Sequence, residues 1–401
     1  MKSKYQKKNI DSVIRENKCI SCGVCQARCP LGAIKLRYSD LEGKYVPAIF
    51  FDKCINCGIC KKGCPAEKGR DCDTLIGDYN GLFLAHARNK QVRKNATSGG
   101  VVNSLVQYLL EQDIVECVVM AGYDADSEIE TSPVEITKEQ VSQLRVAVRD
   151  YASRYVLCPV LTNIKSILEK YNKIGVVGTS CQIQALALYE ETVKDKFIFK
   201  IGITCSGGMS YKATKQYKKK KEMLTAKMYY RGDGWPGKNA LIEKNVVEEH
   251  SHLGSLYERM FSSQIFKNYG CVYCKDHFAE VAEISFCDFW NSKELEEERI
   301  GNSCVIVRSE RAKEIFEDLI RQGYINIVRE LKEEEVISTQ LTVLKAKKGN
   351  LRKNYLYKIF LHVVNVSFKH NYYEYFSMRE YKIFAAIYRK LCNMVKLDYR
   401  K

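Results

Sequence analysis

From about residue 80 to 330, short apolar runs alternate with stretches whose apolar residues recur every three or four positions. Ile114 to Gly122, Lys173 to Gly178 and Phe197 to Ile203 are brief and rich in Val and Ile, which predicts buried strands. Ser98 to Leu110 places Val102, Leu105, Val106 and Leu109 on one helical face, and Val160 to Tyr171 and Ser309 to Gln322 show the same spacing. Strands alternating with helices predict an α/β domain on a mixed, partly parallel sheet. Upstream, RYSDLEGKYVPAIFFDK reads as a short hairpin turning at Gly43. Beyond residue 335 the chain turns helical, Tyr-rich and basic. Ile383, Ile387, Leu391, Met394 and Val395 share a face there, which predicts packing on the protein's own core, with docking at a membrane surface as the alternative.

The cysteines add a metal centre to this picture. Cys19, Cys22, Cys25 and Cys29 precede Pro30, and Cys54, Cys57, Cys60 and Cys64 precede Pro65, both with the C-x2-C-x2-C-x3-C-P spacing. In that spacing the first three thiolates hold one 4Fe-4S cube and the fourth reaches to the other. Cys19, Cys22, Cys25 and Cys64 are therefore expected on one cluster, and Cys54, Cys57, Cys60 and Cys29 on its partner. Gly23 and Gly58, each after a middle cysteine, let the backbone turn closely around a cube. A zinc site would use two pairs and leave the third and fourth cysteine and the proline of each run without a role. Three parts follow: an α+β ferredoxin-like domain with two 4Fe-4S clusters over 1–80, an α/β mixed-sheet domain over 81–335, and a basic helical tail over 336–401.

Composition narrows the setting. The opening MKSKYQKKNIDSVIREN lacks the apolar stretch of a secretory leader, and no uncharged run nears the roughly 20 residues of a spanning helix, so a cytoplasmic protein is expected. Eighteen cysteines then point to redox and metal chemistry, not to disulfides. The net charge of +16 is concentrated at one end, since residues 341–401 hold 14 Lys and Arg against 3 Asp and Glu. Such a tail suits an acidic protein or an anionic membrane surface; specific nucleic-acid binding is not expected without a recognition module. Lys218 to Lys221 reads as a solvated helix face. The six histidines form no ligand pair, which leaves them surface or structural roles. The dinucleotide and P-loop signatures are absent, which disfavours direct NAD(P)H use.

Several strand-to-helix junctions carry glycine or cysteine. In Thr97-Ser98-Gly99-Gly100, Ser98 is placed to cap the next helix while the glycines bring bare N–H groups toward a phosphate. Gly178-Thr179-Ser180-Cys181-Gln182, Cys205-Ser-Gly-Gly, Arg231-Gly232-Asp-Gly234-Trp235-Pro-Gly, Cys271-x2-Cys274 and Cys287-Asp288 follow in order. This series, behind the double cysteine run, resembles the coenzyme F420 hydrogenase/dehydrogenase beta-subunit family over about residues 15 to 310. The resemblance implies a flavoprotein oxidoreductase that binds FAD and moves electrons between it and iron-sulfur clusters. It further implies nucleotide contacts from Thr97, Ser98, Gly99 and Gly100, an approach to the same cofactor by Gly178, Thr179 and Gln182, and a third 4Fe-4S cluster on Cys181, Cys205, Cys271 and Cys274. Ser180 and Cys287 depart from the residues usual in relatives, and Cys287 is an alternative ligand. Cys72, Cys117, Cys158, Cys304 and Cys392 read as small buried residues.

Two enzymatic readings and one non-enzymatic reading result. The first exchanges hydride with coenzyme F420 or a similar organic substrate. The second is a ferredoxin-dependent reductase of a sugar or lipid-linked intermediate. The third is a non-catalytic electron-relay subunit. The expected partners are a protein donor or acceptor, either ferredoxin or a hydrogenase/dehydrogenase subunit, and a small-molecule substrate. No catalytic residue is assigned.

Overall fold

The computed structural model describes residues 8–67, 74–291, 296–395 and 397, so Cys72 lies outside the described residues. In the cysteine-rich opening, β1 (Ile34–Ser39) and β2 (Lys44–Ile49) pair as an antiparallel hairpin in which Ser39 faces Lys44. Two one-turn helices, Val24–Ala27 and Ile59–Lys62, start at Gly23 and Gly58 with φ of 89° and 82°. That left-handed backbone is one a side chain would strain.

The centre is an eight-stranded sheet. Its strands are β3 (Gly81–Ala87), β4 (Cys117–Tyr123), β5 (Thr131–Thr137), β6 (Lys173–Thr179), β7 (Phe197–Ile203), β11 (Ile284–Asp288), β12 (Ser303–Val307) and β13 (Ile325–Glu330). Their order across the sheet is β13-β3-β12-β11-β7-β6-β4-β5. β11, β7, β6 and β4 run parallel, while β12, β13 and β5 pair antiparallel to their neighbours. A separate three-stranded sheet comprises β8 (Lys227–Tyr229), β9 (Lys238–Glu243) and β10 (Val246–Ser251).

Period-two alternation sorts the side chains of the central strands onto two faces. Val118 and Met120 of β4 and Val177 of β6 join Leu105, Phe199, Ile201 and Val305 in one core. Cys117, Val119, Ile174 and Val176 point the other way, against Leu186, Ile198 and the cysteine-rich segment's Ile20, Cys22 and Val24. The cysteine-rich segment is thereby fastened to one face of the sheet. Leu161 N–H adds a hydrogen bond to the Cys22 carbonyl at 2.9 Å.

The strands and helices lie close to the predicted spans, with three local corrections. Helix Val101–Glu111 begins at Gly100, and Ser98 does not cap it; the Ser98 hydroxyl is 3.0 Å from that of Ser303 on β12, a partner distant in sequence. Lys218 is buried and paired with Glu130, because the cationic helix it belongs to packs one side inward. In the last helix, Met378–Asn393, the buried residues are Tyr381, Ala385, Leu391 and Cys392, while Ile383 and Ile387 remain 48% and 45% exposed. Aromatic bodies set this face, since Tyr381 meets Phe266 and Phe376 and its hydroxyl reaches the Tyr373 carbonyl at 3.1 Å. Among the described residues no helix is long and apolar enough to cross a membrane.

Candidate functional site

The N-terminal cysteines lie in two groups. Cys22, Cys25 and Cys64 are buried beside Cys19. Burial, followed by the nearby Cys64 and Cys25 sulfurs, pushes the Cys22 thiol well above its ordinary range. Burial followed by Cys19, Cys64 and Cys60 does the same to Cys25, and burial takes Cys64 up to about 12. Cys29, Cys54, Cys57 and Cys60 line a second hollow with Leu31, Ile55 and Ile59. Backbone donors already point at the sulfurs, Ala33 N–H at Cys29 (3.2 Å) and Ser21 N–H at Cys19 (3.4 Å). The crowded, buried thiols of the first set are readily deprotonated beside cationic metal, and two groups of four thiols match the ligand count of two iron cubes. Among the described residues no three His, Cys, Asp or Glu side chains converge on a single-ion site. Cube ligands each bind a separate corner and do not need to converge.

A further four-cysteine set is assembled from distant parts of the chain. Cys181 lies in the first turn of the helix after β6, Cys205 follows β7, and Cys271 and Cys274 flank the end of a short 3-10 turn. Burial, then Cys274, Cys205 and Cys271, raises the Cys181 thiol well above its usual value, which places the four sulfurs within electrostatic reach of one another. Burial pushes Cys205 up to about 11, against the pull of Lys347. Lys347 comes from the basic tail yet is only 5% exposed; its Nζ lies 3.4 Å from Cys274 Sγ and 2.7 Å from the Asp276 carbonyl. Burial opposes its charge, but Cys274, Cys205, Asp276 and Cys271 together hold its pKa above the ordinary lysine value. Gly208 N–H reaches Cys271 Sγ at 3.4 Å, and Thr179 Oγ1 is 3.5 Å from Cys181 Sγ. Cys287 lines the same cavity as Cys181, Cys205 and Cys271, and it faces Cys304 across the β11–β12 pair.

This set borders a cavity of about 330 Å³ whose walls include Cys181, Cys205 and Cys271. The cavity opens at the carboxyl ends of β4, β6, β7 and β11, where Met120, Gly178, Thr179, Ile203 and Phe286 line it. Open α/β sheets bind ligands at such ends. Thr97, Ser98 and Gly100 also line it. Gly99 admits no side chain, because a Cβ there would lie 2.6 Å from Ser303 N and 2.7 Å from the Ala85 carbonyl. The N-terminus of helix Val101–Glu111 faces the cavity through Gly100 to Asn103, and its first N–H groups have no intrahelical acceptors.

Some expected contact atoms are already engaged. Gln182 accepts from Thr179 N–H (2.8 Å) and donates to the Cys158 carbonyl (2.7 Å), so its place is in the scaffold of the cavity wall. Thr97 Oγ1 accepts from Ser153 N–H at 3.1 Å. The unsatisfied buried atoms lie elsewhere on the lining: Asn103 Nδ2, Arg154 Nε, Arg231 Nη2 and His252 Nδ1. Four donor-capable atoms without partners among the described residues, all in one hollow, fit an oxygen-rich organic cofactor such as FAD.

Sequence reasoning missed Lys347, His252, His277 and Gln340. His277 touches the Cys205 carbonyl (3.1 Å) and Gln340 (3.1 Å), and Gln340 donates to the Asp288 carbonyl (2.7 Å). Their positions depend on tertiary packing, and the tail's basic composition masked the inward turn of Lys347. Asn268 bridges the N-terminal and internal regions: its Nδ2 donates to the Cys19 carbonyl (3.0 Å) and lies 3.9 Å from Cys271 Sγ.

Comparison with known proteins adds independent support. Two family models describe the coenzyme F420 hydrogenase/dehydrogenase beta subunit; the one for its C terminus matches residues 171–333, and the one for its N-terminal part matches residues 82–165. A 4Fe-4S dicluster domain matches residues 18–68. Coenzyme F420 hydrogenase subunit beta of Methanosarcina barkeri is 23% identical over 312 residues, covering 70% of this chain and 97% of that protein. Its counterpart of the same name in Methanothermobacter thermautotrophicus is 24% identical over 263 residues, 62% of this chain and 84% of that one. A chain in the F420-reducing [NiFe] hydrogenase complex of Methanosarcina barkeri shares the fold, with a TM-score of 0.54 at 21% identity over 70% of this chain and 93% of that chain.

Proposed function

Because the chain belongs to the coenzyme F420 hydrogenase/dehydrogenase beta-subunit family, an oxidoreductase family joined here to a 4Fe-4S dicluster domain, we propose that it is an iron-sulfur flavoprotein. It moves electrons between 4Fe-4S clusters and FAD held in the central cavity, and exchanges hydride with coenzyme F420 or a similar organic substrate. The observation that carries this reading is the shared wall: Cys181, Cys205 and Cys271 line the same hollow as the glycine-rich turn.

In this reading Cys19, Cys22, Cys25 and Cys64 hold one cube, Cys29, Cys54, Cys57 and Cys60 a second, and Cys181, Cys205, Cys271 and Cys274 a third. FAD, when bound, supplies the conversion between two-electron hydride transfer and one-electron steps. The residues of the chain do the positioning. Gly99 keeps the turn close to Ser303, the helix starting at Val101 offers N–H groups to a phosphate, and apolar Val177 and Phe286 keep water from the interior. Asn268 links the first and internal sets by hydrogen bonds. The second set faces outward: Cys57 is exposed, and Ile55 and Leu31 beside it are 69% and 49% exposed, a surface suited to a protein electron partner.

Anaerobic purification followed by iron and flavin analysis tests the reading. It requires about 12 iron atoms, three cubes of four, and about one flavin per chain. A folded, iron-loaded protein that neither retains nor rebinds flavin would reject it.

A further inference from the structure

Three residues contribute formal charge to the cavity lining apart from its cysteines and histidines: Arg154, Arg231 and Asp288. Arg231 is 2% exposed; it donates from Nε to the Pro236 carbonyl (2.9 Å) and from Nη1 to Asp288 (2.6 Å) and the Tyr155 hydroxyl (3.4 Å). Its Nη2 has no acceptor among the described residues. Trp235 and Trp290, whose ring centroids are 4.7 Å apart, both pack against the guanidinium, each ring about 5.0 Å from Cζ. His252 stacks on Trp290 and meets Tyr155 edge-on, and its buried Nδ1 is also without a partner among the described residues. Arg154 donates to the carbonyls of Met228 and Asp150, and its Nε is unsatisfied. Two guanidiniums thus face one carboxylate, leaving the lining with an excess of positive charge.

We propose that Arg231 and His252 form an oxyanion-binding corner, in which a carboxylate or phosphate oxygen of the cavity's organic occupant accepts from Arg231 Nη2 and from the Nδ1–H of a neutral His252, with Arg154 supplying the uncompensated charge. A charge-assisted donor fixed by Asp288 and the Pro236 carbonyl, beside a neutral imidazole N–H, suits an anionic group and disfavours a neutral ligand that leaves both unpaired. The inference deepens the reading of this cavity as a cofactor and substrate site and rests on it. The oxyanion has two sources, the phosphates of FAD or an acidic group on the substrate.

Trp235 and Trp290 are the only tryptophans in the chain, so intrinsic emission of the full-length, cluster-loaded protein reports this corner directly. Titration with inorganic phosphate and with acetate, against chloride at equal ionic strength, gives a saturable emission change for at least one of them. Arg231→Lys, which keeps a cation for Asp288 but loses the second fork nitrogen, weakens that binding about tenfold. His252→Phe leaves the ion pair in place and weakens it about threefold. Melting temperature and cluster absorbance check that each variant is folded. Displacement of the anion by FAD and not by riboflavin assigns the group to the flavin phosphates; displacement by reduced coenzyme F420 and not by FAD assigns it to the substrate. The proposal is overturned if no response exceeds that of chloride, or if both folded variants bind as the parent does. A protein that binds no flavin but keeps the Arg231-dependent response would defeat the flavin reading and retain this one.

Discussion

Cys57 stands at the surface of the N-terminal segment among exposed apolar side chains, whereas Cys181, Cys205 and Cys271 lie in the wall of an interior cavity. In the proposed function the two settings use the same ligand chemistry for different neighbours. The outer set is built from a contiguous stretch, with Cys29 as its one more distant member, and its rim of Leu31, Ile55 and Ile59 offers an apolar surface to another protein. The inner set draws its four thiols from separate junctions, with Lys347 of the tail pressed against Cys274. The outer hollow is built locally. The inner one is a larger cavity, of about 330 Å³, whose lining is drawn from strands, turns and loops far apart in sequence.

The most severe way to break this comparison is to remove inner thiols. A Cys205→Ala, Cys271→Ala double variant is expected to lose about 4 of roughly 12 iron atoms while the N-terminal pair keeps its paramagnetic resonance signals. Iron content and low-temperature spectra measured together check this, and unchanged iron would show that the inner set is not a ligand set.

Next in size is the charge of Lys347. At an effective dielectric of about 20, a unit charge roughly 5 Å away is worth about 3 kcal/mol, or on the order of 100 mV for one electron. Lys347→Met should lower the midpoint potential of the inner cluster by about that amount, because the ammonium favours the reduced, more negative cluster. A spectroscopically monitored redox titration reads the shift, and the outer clusters serve as the control.

The outer rim gives a smaller effect. Ile55→Glu should weaken use of a protein electron donor by about tenfold, roughly 1.4 kcal/mol, through lost apolar contact and a buried charge at the interface. Flavin and iron content should not move. Steady-state rates against donor concentration decide, and an unchanged KM would place the docking surface elsewhere.

The smallest expected effect concerns pH. Burial, then Arg231, holds His252 down at about 3, whereas an unfolded histidine titrates near 6.5. As pH falls below about 6.5 the unfolded chain takes up the proton first, so the native state loses stability toward acid at up to about 1.4 kcal/mol per unit. Between pH 7 and 5.5 this amounts to about 1 kcal/mol, and His252→Phe should flatten the decline in denaturant-unfolding experiments by that amount. An equal slope in both proteins would show that the imidazole is not held neutral.

Legibility in the sequence follows the same division between local and assembled features. The N-terminal cysteine sets were readable because eight thiols fall in two fixed short spacings, and spacing is a local property. β6 and β7 were readable for a similar reason: Val176, Val177 and Ile201 sit in runs too apolar for a surface. The inner cysteines have no such spacing beyond one C-x2-C pair, and only the ordered resemblance singled them out. Lys347, Gln340 and His252 could not be found from pattern at all, since each owes its role to a contact with a part of the chain remote in sequence. The last helix misled through its aliphatics: Ile383 and Ile387 look like core residues, but Tyr381 and Tyr388 fill the aromatic bed beneath it. Ser98 likewise had the form of a cap, yet Ser303 on another strand takes its hydroxyl.

The most direct test is an anaerobic titration of the full-length protein, loaded with iron and FAD, with reduced ferredoxin, following cluster and flavin absorbance together. The account predicts that cluster bleaching is accompanied by bleaching of the flavin in the same molecules, and that the cysteine-to-alanine double variant at Cys205 and Cys271 uncouples the two. Reduced clusters beside a flavin that stays fully oxidised would contradict it.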